Sequence, residues 1–276
     1  MSTWILLRGL TRETRHWGRL PDMLRDACGG AVLLIDLPGN GKFAHVRAPF
    51  TVAGMVGFVR DAVLQTGVAG PYRVLAMSLG GMVATDWAQR YPGEIERLVL
   101  INTSMRPFSR MRERLRPSAW PGLLALAAHW SNAPRVERGI HRLTCQRVKT
   151  LGADLAAWSE IRRSAPVSRA NALCQLWAAA RFTAAAAAPR CALLVLSSRA
   201  DRLVDPVCSV KLAAAWGAAH REHPWAGHDL PHDDPAWTAA QVRAWIEQVQ
   251  HQDHDHTQTQ PQQQRQTPAP APRTTL

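Results

Sequence analysis

The chain has 276 residues, 46% of them hydrophobic, enough for one large core or for a core with a modest inserted subdomain. Its formal net charge of +12 sits mostly in residues 105–185, where 14 basic side chains meet 4 acidic ones. No apolar run approaches the roughly 20 residues that cross a bilayer. The first residues carry an arginine after their apolar run instead of before it, unlike a secretory signal. Five scattered cysteines without a C-x-x-C pair argue against a zinc module and predict reduced thiols in a cytoplasmic protein.

Trp4–Leu7, Val32–Asp36, Arg73–Met77, Arg97–Ile101 and Ala192–Ser197 are short apolar runs flanked by turn residues. Such runs suit strands of a parallel sheet covered on both faces. Helical patterns over 12–27, 53–66, 80–91 and 206–218 alternate with them. A last strand is predicted near His220–Trp225 and a closing helix near 235–250, with Trp237, Val242, Trp245, Ile246 and Val249 at core-packing spacing. The alternation predicts an α/β fold with a doubly wound, mostly parallel sheet, whose ligands bind beyond the carboxyl ends of the strands.

Residues 107–185 lack a strand signal and show helical patterns around Trp120, Trp130, Trp158 and Trp177, so an all-helical insertion is predicted there. The core is then 1–106 with 186–250. From 251 onward, Gln, His, Thr and Pro predict a disordered low-complexity tail. Its His251, His254 and His256 could take up a metal adventitiously, but a solvated tail is the simpler reading. No resident metal or cofactor is expected.

The run Ala76-Met77-Ser78-Leu79-Gly80 joins a predicted strand to a predicted helix. A serine on such a sharp turn lifts its hydroxyl above the sheet, and the residues two before and two after it must be small. Ala76 meets the steric requirement where glycine is usual. Candidate partners follow in the order acid, then histidine. Asp201 lies just past the strand Ala192–Ser197. Asp205 is a rival that could instead cap the next helix. His228, after Gly227, is the candidate base that takes the serine proton and returns it to the leaving group. His223 and His232 read as polar loop residues. The backbone amides of Leu10 and Leu79 are the candidate oxyanion-hole donors, with Gly9 allowing close backbone approach.

Together these residues resemble the α/β-hydrolase superfamily over about residues 3–248, in strand order, turn chemistry and order of the triad. Asp36-Leu37-Pro38-Gly39-Asn40-Gly41 resembles the family's Asp-x-Pro-Gly-x-Gly loop, and 107–185 falls where the family places its helical lid. Arg8 stands where the family commonly has histidine, and Asn40 and Lys42 where His and Ser are frequent. A serine nucleophile argues against the dehalogenase and epoxide hydrolase branches, which attack with aspartate. The likeness to serine carboxylesterases, including the pimeloyl-carrier-protein methyl ester esterase type, implies hydrolysis of a small or medium acyl ester through an acyl-enzyme. It also implies an acidic carrier protein as a partner for the basic lid. Thioesterase or acyltransferase action on carrier-protein thioesters is the alternative within that chemistry. A non-catalytic ligand binder on the same fold is the alternative outside it. Neither nucleic acid nor membrane is an expected partner, since no reading motif accompanies the basic segment.

Overall fold

Six strands form one fully parallel sheet in the order β2-β1-β3-β4-β5-β6, in a computed structural model that describes residues 2–263 and side chains up to residue 251. The strands are β1 (Trp4–Leu7), β2 (Val32–Ile35), β3 (Tyr72–Met77), β4 (Ile95–Ile101), β5 (Ala192–Ser198) and β6 (Ala219–His223). Helices α1 (Leu20–Cys28), α2 (Val52–Leu64), α3 (Leu79–Arg90), α9 (Val207–Trp216) and α11 (Pro235–Gln263) connect or follow them.

Alternation along each strand explains the near-continuous apolar runs. Ile5, Leu7, Val74, Ala76, Leu98 and Leu100 enter one core layer, which also holds Val56, Val59, Val83 and Trp87 of α2 and α3. Trp4, Leu6, Leu75, Met77, Val99 and Ile101 enter the opposite layer with Leu20, Leu24, Val242 and Trp245 of α1 and α11. The central strands are buried on both faces, which is why their positions are so nearly all apolar. Truncating a Leu in either layer costs about 2–5 kcal/mol.

The span 12–27 is not one helix. A 3-10 turn at Thr14–Trp17 ends at Gly18, whose φ of 55° breaks the spiral. Helix α1 then starts afresh with a proline, Pro21, in its first turn. Between β4 and β5 lie α4 (Met111–Arg114), α5 (Trp120–Ala128), α6 (Ala133–Thr144), α7 (Leu151–Ser164) and α8 (Arg169–Arg181), and no strand is found there among the described residues. An isolated bridge between Arg106 and Thr183 closes this segment at its base. The short α10 (Leu230–Asp233) precedes α11. The tail expected from 251 starts as backbone helix that runs to Gln263. Residues 264–276, and the side chains of His254 and His256, lie outside what is described.

Because β1 lies between β2 and β3, the chain reverses its direction across the sheet there. The loops leaving β1 and β3 therefore lie side by side at the topological switch point, the place at which open α/β sheets bind ligands.

Candidate active site

Ser78 occupies the turn from β3 to α3 with φ 54° and ψ −118°, a region that costs a non-glycine residue about 1–3 kcal/mol. Neighbouring bonds hold it there. The Ser78 amide donates to Ile101 O (3.0 Å), and the Ser78 carbonyl accepts from Thr103 Oγ1 (2.8 Å) and the Met82 amide (3.3 Å). Close packing fixes its neighbours too. A Cβ on Gly80 would lie 2.5 Å from the carbonyl oxygens of both Leu7 and Arg8, and one on Gly9 would lie 3.0 Å from Ser78 Cβ. The β1 loop is thus pressed against Ser78. Neither the Leu10 amide nor the Leu79 amide, the first in α3, has a hydrogen-bond acceptor among the described residues. Free amides at a helix start are ready donors to an anion.

His228 and Asp201 meet in a buried contact, Nδ1 to Oδ2 at 2.7 Å. The other oxygen of Asp201 accepts from the Leu203 and Val204 amides (2.8 and 2.9 Å), so both oxygens are fixed. Arg116 Nη1 donates to the Asp201 carbonyl at 2.8 Å. Asp205 does something else: its Oδ1 accepts from the Val207 amide at the start of α9. With Nδ1 turned to the carboxylate, the imidazole leaves Nε2 for a substrate-side proton.

Several site-building residues carried no sequence signal. Asn102, with φ 45° just past β4, donates through Nδ2 to His228 O (2.8 Å) and Ser198 Oγ (2.9 Å). It ties the histidine loop to the ends of β4 and β5. Arg8 forms a two-fold hydrogen-bonded pair with Asp229, at 3.0 and 2.6 Å. Asp233 accepts from the Gly227, Gln146 and Arg147 amides, joining the histidine loop to the residues after α6. A clue existed only for Asn102, since asparagine tolerates positive φ better than most residues. His223 is buried and not a free loop residue. Its Nδ1 accepts from the Ala226 amide at 2.9 Å, which shapes the turn before Gly227.

Asn40 owes its place to the helical segment. Gln175 of α8 donates to Asn40 Oδ1 (2.9 Å) and Pro38 O (3.0 Å) and accepts from the Thr11 amide, while Asn40 Nδ2 donates to Arg12 O. Arg12 in turn pairs with Glu137 of α6 at 2.6 Å. Some of the segment's arginines are spent internally. Arg106 donates to the Arg181 carbonyl and Arg114 to the Ala179 and Ala180 carbonyls, capping the C-terminal end of α8.

Residues 5–233 match the family profile described as serine aminopeptidase, S33. A pimeloyl-[acyl-carrier protein] methyl ester esterase of Chromobacterium violaceum is 33% identical over 127 residues, covering 45% of this chain and 43% of that protein. RutD of Shigella flexneri serotype X, provisionally named a carbamate hydrolase, is 26% identical over 249 residues, covering 84% of this chain and 86% of its own. The chain thus spans under half the length of the esterase, and 30% and 17% of two further curated relatives. Among solved structures, the enol-lactonase of Burkholderia xenovorans LB400 has a TM-score of 0.72 at 18% identity, covering 90% of this chain and 92% of that one, which is a likeness of fold. No helix among the described residues is long and apolar enough to cross a membrane.

Proposed function

The chain belongs to the serine aminopeptidase S33 family of α/β hydrolases, and from that premise we propose that it hydrolyses a carboxylic ester of a small or medium acyl group through an acyl-enzyme. The observation that carries this reading is the buried 2.7 Å His228–Asp201 contact on the loops that follow β5 and β6, at the same end of the parallel sheet as the Ser78 turn. His228 takes the Ser78 proton as Oγ attacks the ester carbonyl, and Asp201 steadies the imidazolium that results. The Leu10 and Leu79 amides receive the negative charge that develops on the carbonyl oxygen. His228 then protonates the departing alkoxide. Water, activated by the same imidazole, releases the acid and restores Ser78.

The helices between β4 and β5 act as a lid in this reading, with Gln175 and Glu137 as its attachments to the β1 and β2 loops. Hydrolysis of chromogenic acetyl and butyryl esters should fall to background in Ser78→Ala, and a fluorophosphonate probe should label the wild type at Ser78 alone. Full activity in Ser78→Ala would refute the assignment.

A second reading, action on a carrier-protein ester or thioester, is favoured by a cleft of about 540 Å³ between α5 and α6. Arg135, Arg142 and Arg202 line it together with Leu126 and Leu143. An acidic carrier would meet both positive charge and apolar surface there. Affinity for such a carrier should drop steeply with salt, and an affinity indifferent to salt would remove this reading.

A further inference from the structure

Three ligating side chains away from Ser78 converge where the helical segment meets the core. His141 in the last turn of α6, Cys145 just beyond it and His232 in α10 each offer one donor atom, and these atoms lie within 4.8 Å of one another. A spacing of four places His141 and Cys145 on one side of the helix end. His232 approaches from the opposite wall, brought there by contacts that do not involve the cluster. The Asp229 amide donates to Thr144 O at 2.7 Å, and Asp233 accepts from the amides of Gln146 and Arg147.

The cluster contains unmet donor capacity. The Nε2 atoms of His141 and His232 are buried and have no hydrogen-bond partner among the described residues, and His141 is only 3% exposed. An imidazole nitrogen left so costs about 1–3 kcal/mol. His232 Nε2 lies 3.3 Å from Asp154 Oδ2 without the alignment of a hydrogen bond. Burial holds both imidazoles below their ordinary range, which leaves neutral rings with lone pairs to give. Burial also pushes the Cys145 thiol well above its range, so without a metal the group is uncharged. The rings pack on Trp158, with centroids 4.8 Å away for His232 and 5.6 Å for His141. Asp154 and Asp233 add negative charge nearby, and Arg147 opposes them.

We propose that His141, Cys145 and His232 form a transition-metal site, of the class that takes Zn2+ or Co2+, which clamps the end of α6 to α10. Two imidazoles and one thiol match the donors that zinc prefers, and lack the oxygen cage required by calcium or magnesium. On binding, a metal–Sγ bond forms, the thiol proton passes to solvent, and no electron is transferred. The site would lock the helical segment beside the loop that carries His228. It does not depend on the ester-hydrolase reading, and Ser78→Ala should bind metal as the parent does.

The test uses the full chain with His251, His254 and His256 replaced by Gln, so that the C-terminal histidines cannot contribute. After chelator treatment it is titrated with Co2+ and then Zn2+. One equivalent should bind, with a thiolate-to-cobalt charge-transfer band that zinc abolishes and a rise in melting temperature. Cys145→Ser should lose the band, and both Cys145→Ser and His232→Gln should weaken zinc binding at least about 100-fold, the upper end of what loss of an outer-shell partner costs. Metal-free melting curves establish that each variant is folded; if Cys145→Ser is not, His232→Gln decides. Absence of the band in the parent, or zinc affinity unchanged in the folded variants, overturns the proposal.

Discussion

Arg8 and Asp229 form a buried, two-fold hydrogen-bonded ion pair that fastens the loop beside Ser78 to the loop carrying His228. Arg8 immediately precedes Gly9, and Asp229 immediately follows His228. The Arg8 guanidinium also rests 4.8 Å over the Trp17 ring. The two halves of the site are therefore one mechanical unit. Arg8 faces the protein's own core.

Removing one partner should be worse than removing both. Asp229→Asn or Arg8→Ala leaves a buried charge uncompensated and should cost about 3–5 kcal/mol in urea unfolding. Arg8→Lys should fail to rescue, because an ammonium cannot reproduce the paired bonds. The apolar double variant Arg8→Met with Asp229→Leu should recover most of the stability while kcat stays low. Recovery of kcat along with stability would show that the pair does not position the site.

Acid should weaken this pair within a defined window. Burial disfavours the Asp229 carboxylate, but the charge and hydrogen bonds of Arg8 outweigh it and hold the group down to about 2. A carboxyl depressed in the folded state stabilises fully above its unfolded value of about 3.9, and that stabilisation is lost as pH falls toward 2. The loss should be about 2 kcal/mol over that range, measured as the difference in pH dependence between wild type and Asp229→Asn.

The two candidate acids should separate cleanly. Asp201→Asn should reduce kcat by about 10⁴-fold, as expected when a histidine loses the carboxylate that fixes its tautomer. Asp205→Asn should leave kcat nearly unchanged and cost at most about 1 kcal/mol in stability, because the Asp205 carboxylate accepts from the Val207 amide at the start of α9. Ester hydrolysis and thermal melting of the two variants check both statements.

Asn102→Ala should release the His228 loop from the strand ends. Three carbonyl or hydroxyl acceptors lose their shared donor, so about 1–3 kcal/mol of stability should go. The catalytic effect should appear in kcat more than in KM, because the displaced group is the proposed base and not a binding surface. An unchanged kcat would show that the loop holds itself.

Gly80→Ala should be among the most damaging small substitutions in the chain. Its methyl would meet two backbone carbonyl oxygens at 2.5 Å, which cannot rotate away. Soluble yield and melting temperature should both fall, and the β1 loop would have to move off Ser78. Gly57, whose added methyl meets nothing within 4 Å, is the matched control.

Local features were legible because local physics fixes them. Strands β1 to β5 carry short apolar runs, since a parallel sheet covered on both faces tolerates little else, and the polar β6 lies at the sheet edge. The turn at Ser78 needs small neighbours whatever the rest of the chain does. The helix expected over 12–27 failed at Gly18, whose conformation no periodicity reveals. Nor could the pattern say that the helix after Trp245 continues to Gln263.

The sequence by itself determined the α/β layering and the strand-turn-helix setting of Ser78, and it narrowed the acid to Asp201 or Asp205. Only the tertiary structure decided that Asp201 meets His228, that Arg8 turns inward to Asp229, that Asn102 holds the histidine loop and that Gln175 meets Asn40. These partners lie 27, 221, 126 and 135 positions apart. Hydrophobic period and turn chemistry act over a few residues, whereas the pairing of a buried polar group depends on which distant donor the finished fold brings within about 3 Å.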